Sequence, residues 1–205
     1  CSLREQSLRR ALQVNGGVRR AQGRETVIPE KVSDWVRNRD HKKFNVIACQ
    51  GNEPSEADVR AFEATCGFTL PTEFRKFLMS PLGGLYAEAR EEVWPRTEAF
   101  AMGPFWSFLR AVMVFGIAKD IPEWLDIRAQ YAQMRDEGYG SLVPFLQLET
   151  DPDPYCFTRE GAIVQWNHDD PDEPRPEVLT FGELLSRELE ELQERTEQRI
   201  RGEHL

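Results

Sequence analysis

Two helices joined by a short punctuated turn constrain this chain more than any other feature. Ser55 stands where it caps a helix, and Asp58 follows three residues later, the spacing of a capping box. Val59, Phe62 and Cys66 then fall on one face, and Gly67 supplies a left-handed stop. Pro71 opens the next helix, where its missing N–H costs nothing. Phe74, Phe77 and Leu78 repeat at i, i+3, i+4, and Pro81 with Gly83-Gly84 closes the segment in a turn. Two short helices with narrow apolar stripes must bury those stripes against something else, so the rest of the chain has to supply a sheet or further helices.

The later sequence supplies both. Leu85–Trp94 and Trp106–Ile117 are aromatic and β-branched and read as strands, with a loop from Trp94-Pro95 to Gly103-Pro104. Asp120–Arg135 reads as a helix through Trp124, Ile127, Tyr131 and Met134. Leu142–Leu148 reads as a buried strand. Tyr155–Phe157 and Ala162–Trp166 form a hairpin around Arg159-Glu160-Gly161. Residues His168–Glu177 form an acidic, proline-rich loop. Thr180 and Glu183 repeat the capping box before a helix carrying Phe181, Leu184, Leu185, Leu189 and Leu192. Beyond Leu192 the charged residues predict an end projecting into solvent. Helices first, hairpin strands later and a closing helix predict an α+β fold with an antiparallel or mixed sheet in a single domain over residues 31–205. Residues 1–30 read as a basic N-terminal arm, a short helix over Ser2–Val14 followed by a linker.

Charge narrows the function. Residues 1–50 carry eleven Lys/Arg against five Asp/Glu, a net of +6; residues 51–205 carry fifteen against thirty, a net of −15, and together they give the overall −9. So acidic a domain repels phosphate backbones, which excludes direct nucleic-acid binding as its expected role and favours basic partners. No run approaches the roughly 18 apolar residues of a membrane helix. Four scattered cysteines, without CxxC or CxxH spacing, predict a reduced, cytoplasmic protein whose thiols sit in the core rather than a disulfide scaffold or a metal knuckle. A Cys-Ser start also fits a mature lipoprotein terminus, but no signal segment is visible and a missing initiator Met is the simpler reading.

The chemistry of common active sites is missing from the sequence. There is no phosphate loop, no deaminase zinc pattern and no G-x-S-x-G elbow. His168 beside Asp169 and Asp170 is one suggestive cluster, but further ligands for a metal are lacking. Cys156 alternates with Tyr155 and Phe157 and so points to the opposite face. We therefore expect no catalytic residues, no metal and no cofactor. Trp35, Trp124 and Trp166 lie on apolar faces and read as core. Trp94 and Trp106 flank the loop before the second strand and are candidate interface anchors.

Several segments together resemble one family. The run Ser55-Glu56-Ala57-Asp58, Phe62-Glu63, Cys66-Gly67-Phe68-Thr69-Leu70-Pro71 and Phe74 to Gly84 is similar to the opening of the SUKH superfamily, the Smi/Knr-type domain named in part for a yeast cell-wall assembly regulator. Leu142–Phe145, Asp153–Phe157, Ile163–Asp169 and Thr180–Leu185 resemble its later strands and closing helix, in order, over about Trp35 to Leu189. Pro152 and Pro154 bracket Asp153 where that family prefers Gly-Asp. The resemblance implies a non-enzymatic binding protein. Bacterial members are immunity proteins that neutralise a cognate toxin, often a nuclease or deaminase, by direct binding; a regulatory scaffold domain binding a peptide or small ligand is the alternative. The segment Glu149–Glu177 holds nine acids against Arg159 and Arg175. Asp169, Asp170, Asp172 and Glu173, with His168, are its expected contacts to a basic toxin, as mimics of phosphate.

Overall fold

A computed structural model describes residues 29–96 and 108–202. The expected Ser2–Val14 helix, most of the linker, Trp106 and most of the loop before it lie outside these residues. The described chain runs α1 (Glu30–Asn38), β1 (Phe44–Ile47), α2 (Glu56–Cys66), α3 (Thr72–Leu78), β2 (Tyr86–Ala89), β3 (Ala111–Val114), a 3-10 turn (Glu123–Leu125), α4 (Ile127–Asp136), β4 (Val143–Leu148), β5 (Tyr155–Phe157), β6 (Ile163–Gln165), β7 (Arg175–Glu177) and α5 (Phe181–Ile200). This is an α+β fold.

The helix punctuation acts as expected. Ser55 and Asp58 close a capping box on α2, and Gly67 ends it with φ 79°. Thr180 and Glu183 do the same for α5. The helix expected over Asp120–Arg135 starts later. Asp126 stays extended at φ −81°, ψ 114°, and its carboxylate accepts the Arg128 N–H, so the side chain caps α4 instead of joining it. One helix was not anticipated: α1 begins at Glu30, inside the expected linker, and buries Val32.

All seven strands form one antiparallel meander in chain order, β1 to β7. β1 and β7 were not anticipated, and they are the two edges. Backbone bonds outside the strands fix which groups face which way. Arg90 N–H bonds Lys43 C=O, so Asn45 and Ile47 exchange bonds with β2, while Val46 turns its N–H and C=O to the open edge. At the other side, Thr158 N–H bonds Ala162 C=O and Trp166 N–H bonds Pro154 C=O. Ile163 and Gln165 therefore bond Glu177 and Arg175, and Pro176 turns its nitrogen outward.

Side-chain alternation divides the core. Tyr155 and Phe157 join the main cluster with Phe74, Phe145 and Phe181, while Cys156 joins a smaller cluster of Met134, Leu142 and Val164. The main cluster is aromatic at its centre: Phe74 lies 5.1 Å from Phe157, 5.1 Å from Phe181 and 5.7 Å from Phe145, ring centre to ring centre. Trp35 and Trp124 pack against this cluster and Trp166 against the smaller one, as their positions predict. Cys66 and Cys156 are buried, but Cys49 is only half-buried. The end of α5 does not project freely. Thr196 is fully buried, and Lys43 Nζ sits 3.7 Å from Glu197, because α1 folds back along this helix.

Candidate partner-binding surface

The acidic loop leaves the sheet at the end of β6 and is pinned by a residue fifteen positions earlier. Asp153 lies between Pro152 and Pro154, whose rings restrict the backbone on both sides. One Asp153 carboxylate oxygen accepts the His168 backbone N–H at 3.0 Å and meets His168 Nδ1 at 2.7 Å. Asp151 in turn accepts the Asp153 N–H at 2.9 Å. His168 Nε2 lies 3.3 Å from Asp169. The hydrogen bond to Asp153, with the Asp169 charge behind it, raises the imidazole pKa above its ordinary value. Burial raises that of Asp151.

The four acids expected to carry binding, Asp169, Asp170, Asp172 and Glu173, are brought together on this loop, and all four are exposed. Turn bonds from Asp170 N–H to Asn167 C=O and from Glu173 N–H to Asp170 C=O hold the backbone. Asp169 faces His168. Asp170, Asp172 and Glu173 have no ion-pair partner among the described residues. The loop thus presents negative charge that the domain itself leaves uncompensated.

Beside it, β7 is closed to further strands. Pro174 and Pro176 both lack the donor an added strand would need. The next outward N–H, that of Val178, is taken by Glu177 Oε1 at 2.7 Å. Glu177 also accepts the Leu179 N–H, and its other oxygen meets Arg187 at 3.0 Å. Burial opposes ionisation of Glu177, but these bonds hold its carboxyl below the usual range. The result is a rigid corner with Val178 standing 93% exposed. Sequence reading missed Asp153, Glu177 and Val178 as parts of this surface; the Asp151-Pro152-Asp153-Pro154 repeat was the available signal.

Trp94 is a correction. It is 2% exposed, so it is not an interface anchor. Bonds from Val93 and Trp94 N–H to Arg90 C=O fold the chain back after β2 and carry the indole into the protein. Trp106 lies outside the described residues.

Both ring nitrogens of His168 face carboxylates. The Cys156 thiol is fully buried, which pushes its pKa up and disfavours thiolate. Among the described residues no three His, Cys, Asp or Glu side chains converge on a metal position, and no helix is long and apolar enough to cross a membrane. A separate cleft of about 510 Å³ opens where α1 and α5 begin. Glu30, Glu73, Glu183 and Glu190 line it, with Lys31 and Arg187.

An antiparallel meander backed by a capped closing helix, with an acidic loop at one edge, defines a class of small α+β domains. The SMI1 / KNR4 family (SUKH-1) model matches residues 53–187, about two-thirds of the chain, and the chain belongs to that family. Comparison with curated proteins gave no match.

Proposed function

We propose that this is a non-enzymatic, cytoplasmic binding protein of the immunity type, which neutralises a cognate basic toxin by direct contact. The observation that carries the reading is the loop 168–173, pinned by Asp153 and holding Asp170, Asp172 and Glu173 exposed and unpaired. Charges carried on a braced backbone and free of internal partners complement a cationic cleft and speed encounter with it. Family membership supports a binding role, because immunity proteins share this domain.

The test is recovery of the tagged protein from its native cells, with a matched variant reversing Asp169, Asp170, Asp172 and Glu173 to lysine. The expected result is one stoichiometric, basic, toxin-like partner that the variant loses. Recovery of the same partner by the variant would sink the assignment of this face. A second reading, a regulatory scaffold binding a basic peptide, is favoured by the glutamate-lined cleft between α1 and α5. A neighbouring gene for a large secreted protein with a variable C-terminal end would separate the two.

A further inference from the structure

The two edges of the sheet are opposites. β7 is blocked by Pro174, Pro176 and the occupied Val178 N–H. β1 has no such protection. Besides the Ala48 C=O, its outward groups are the Phe44 C=O, the Val46 N–H and C=O, and the Ala48 N–H; the Phe44 N–H is already held by Asp40 C=O at 2.9 Å. None of those four has a partner among the described residues. Phe44, Val46 and Ile47 favour strand, and the segment contains neither proline nor a charged residue. An edge of this kind is a template for another strand.

The pattern of free groups matches itself. Place a second copy antiparallel, related by a two-fold axis through Val46. The two Val46 residues then exchange N–H and C=O. Each Phe44 C=O receives the Ala48 N–H of the other copy. Four hydrogen bonds form, and the Ala48 C=O of each chain stays with solvent because the Phe44 N–H opposite it is held by Asp40. Val46 meets Val46 on one face, and Asn45 meets Ile47 on the other. No like charges stand opposite. We infer that the β1 edge joins two copies of this chain into one continuous sheet through an isologous two-fold contact. β1 lies outside residues 53–187, so the contact is an addition to the part that the family match covers. It also leaves the acidic loop free at the far edge.

Sedimentation equilibrium of the full chain tests this. The expected result is a concentration-dependent doubling of the 23.7 kDa monomer mass. Val46→Pro should abolish it and leave the far-ultraviolet circular dichroism unchanged. The Val46 N–H makes no bond within the sheet, so proline there breaks no ladder bond, and its ring stands in for the half-buried valine that packs against the main cluster. Amide exchange read by NMR is the second measurement, and it decides the matter should the proline variant fail to fold. The Val46 and Ala48 amides should exchange slowly in concentrated solution and fast on dilution. A monomer at every concentration overturns the inference, as does a Val46→Pro variant that associates like the wild type. Val46 and Ala48 amides protected equally at all concentrations also overturn it, since another segment of the same chain would then hold the edge.

Discussion

Replacing Glu63 should loosen the joint between α2 and α3, and the structure sets the size of the effect. Glu63 is 8% exposed. One carboxylate oxygen accepts the Leu70 N–H at 2.7 Å, and the other holds the Arg75 guanidinium. Leu70 is itself buried and precedes Pro71, which has no N–H, so its amide is the last donor before α3 begins. In Glu63→Ala that amide loses a charge-assisted bond, about 1.5–3 kcal/mol. Arg75 loses a buried partner as well, and breaking such a pair costs about 3–5 kcal/mol in a fully buried setting. The Arg75 side chain is 16% exposed and keeps Glu56, so the low end applies. We expect about 3 kcal/mol for alanine. Glu63→Gln keeps a carbonyl for Leu70 but turns its amide NH2, a donor, toward the Arg75 guanidinium; it therefore loses the ion pair and should cost about 2–3 kcal/mol. Urea unfolding followed by tryptophan fluorescence measures both, with the slope unchanged. An alanine variant within about 1 kcal/mol of wild type would refute the reasoning.

Two further outcomes follow from the same geometry. Phe74→Ala removes the ring at the centre of the aromatic cluster, where it is fully buried, and should cost about 3–5 kcal/mol in the same unfolding assay. His168 should titrate by NMR above the ordinary histidine value, and Asp153→Asn should bring it back. Because its folded pKa is the raised one, the His168–Asp153 clasp stabilises fully below the unfolded value and is lost as pH rises through the folded value. A His168 that titrates at or below the ordinary value would show that the clasp does not form.

Much of this protein was legible without coordinates because its signals are local. Ser55 with Asp58 and Thr180 with Glu183 lie three residues apart, so the capping boxes that start α2 and α5 need nothing from elsewhere. Gly67 and Pro71 punctuate by their own backbone limits. Tyr155-Cys156-Phe157 alternates because any strand does, and its two faces meet two different clusters. The acidic loop could be read from composition alone.

What only the tertiary structure decided rests on contacts between distant residues. Four residues of β1 and three of β7 are too few to show a period, and each is a strand only because a neighbour offers a ladder. Trp94 reads the same in sequence whether exposed or covered; the turn onto Arg90 covers it. The charged end of α5 reads as solvated, yet Thr196 is fully buried there and Lys43 meets Glu197. Four acids around Pro171 say nothing about whether their loop is held in place. That comes from Asp153, fifteen residues from His168 in the chain and 2.7 Å from it in space. Local conformation is set by each residue's own sterics and its nearest hydrogen bonds, while burial, edge exposure and unpaired charge depend on which surfaces the whole chain brings together.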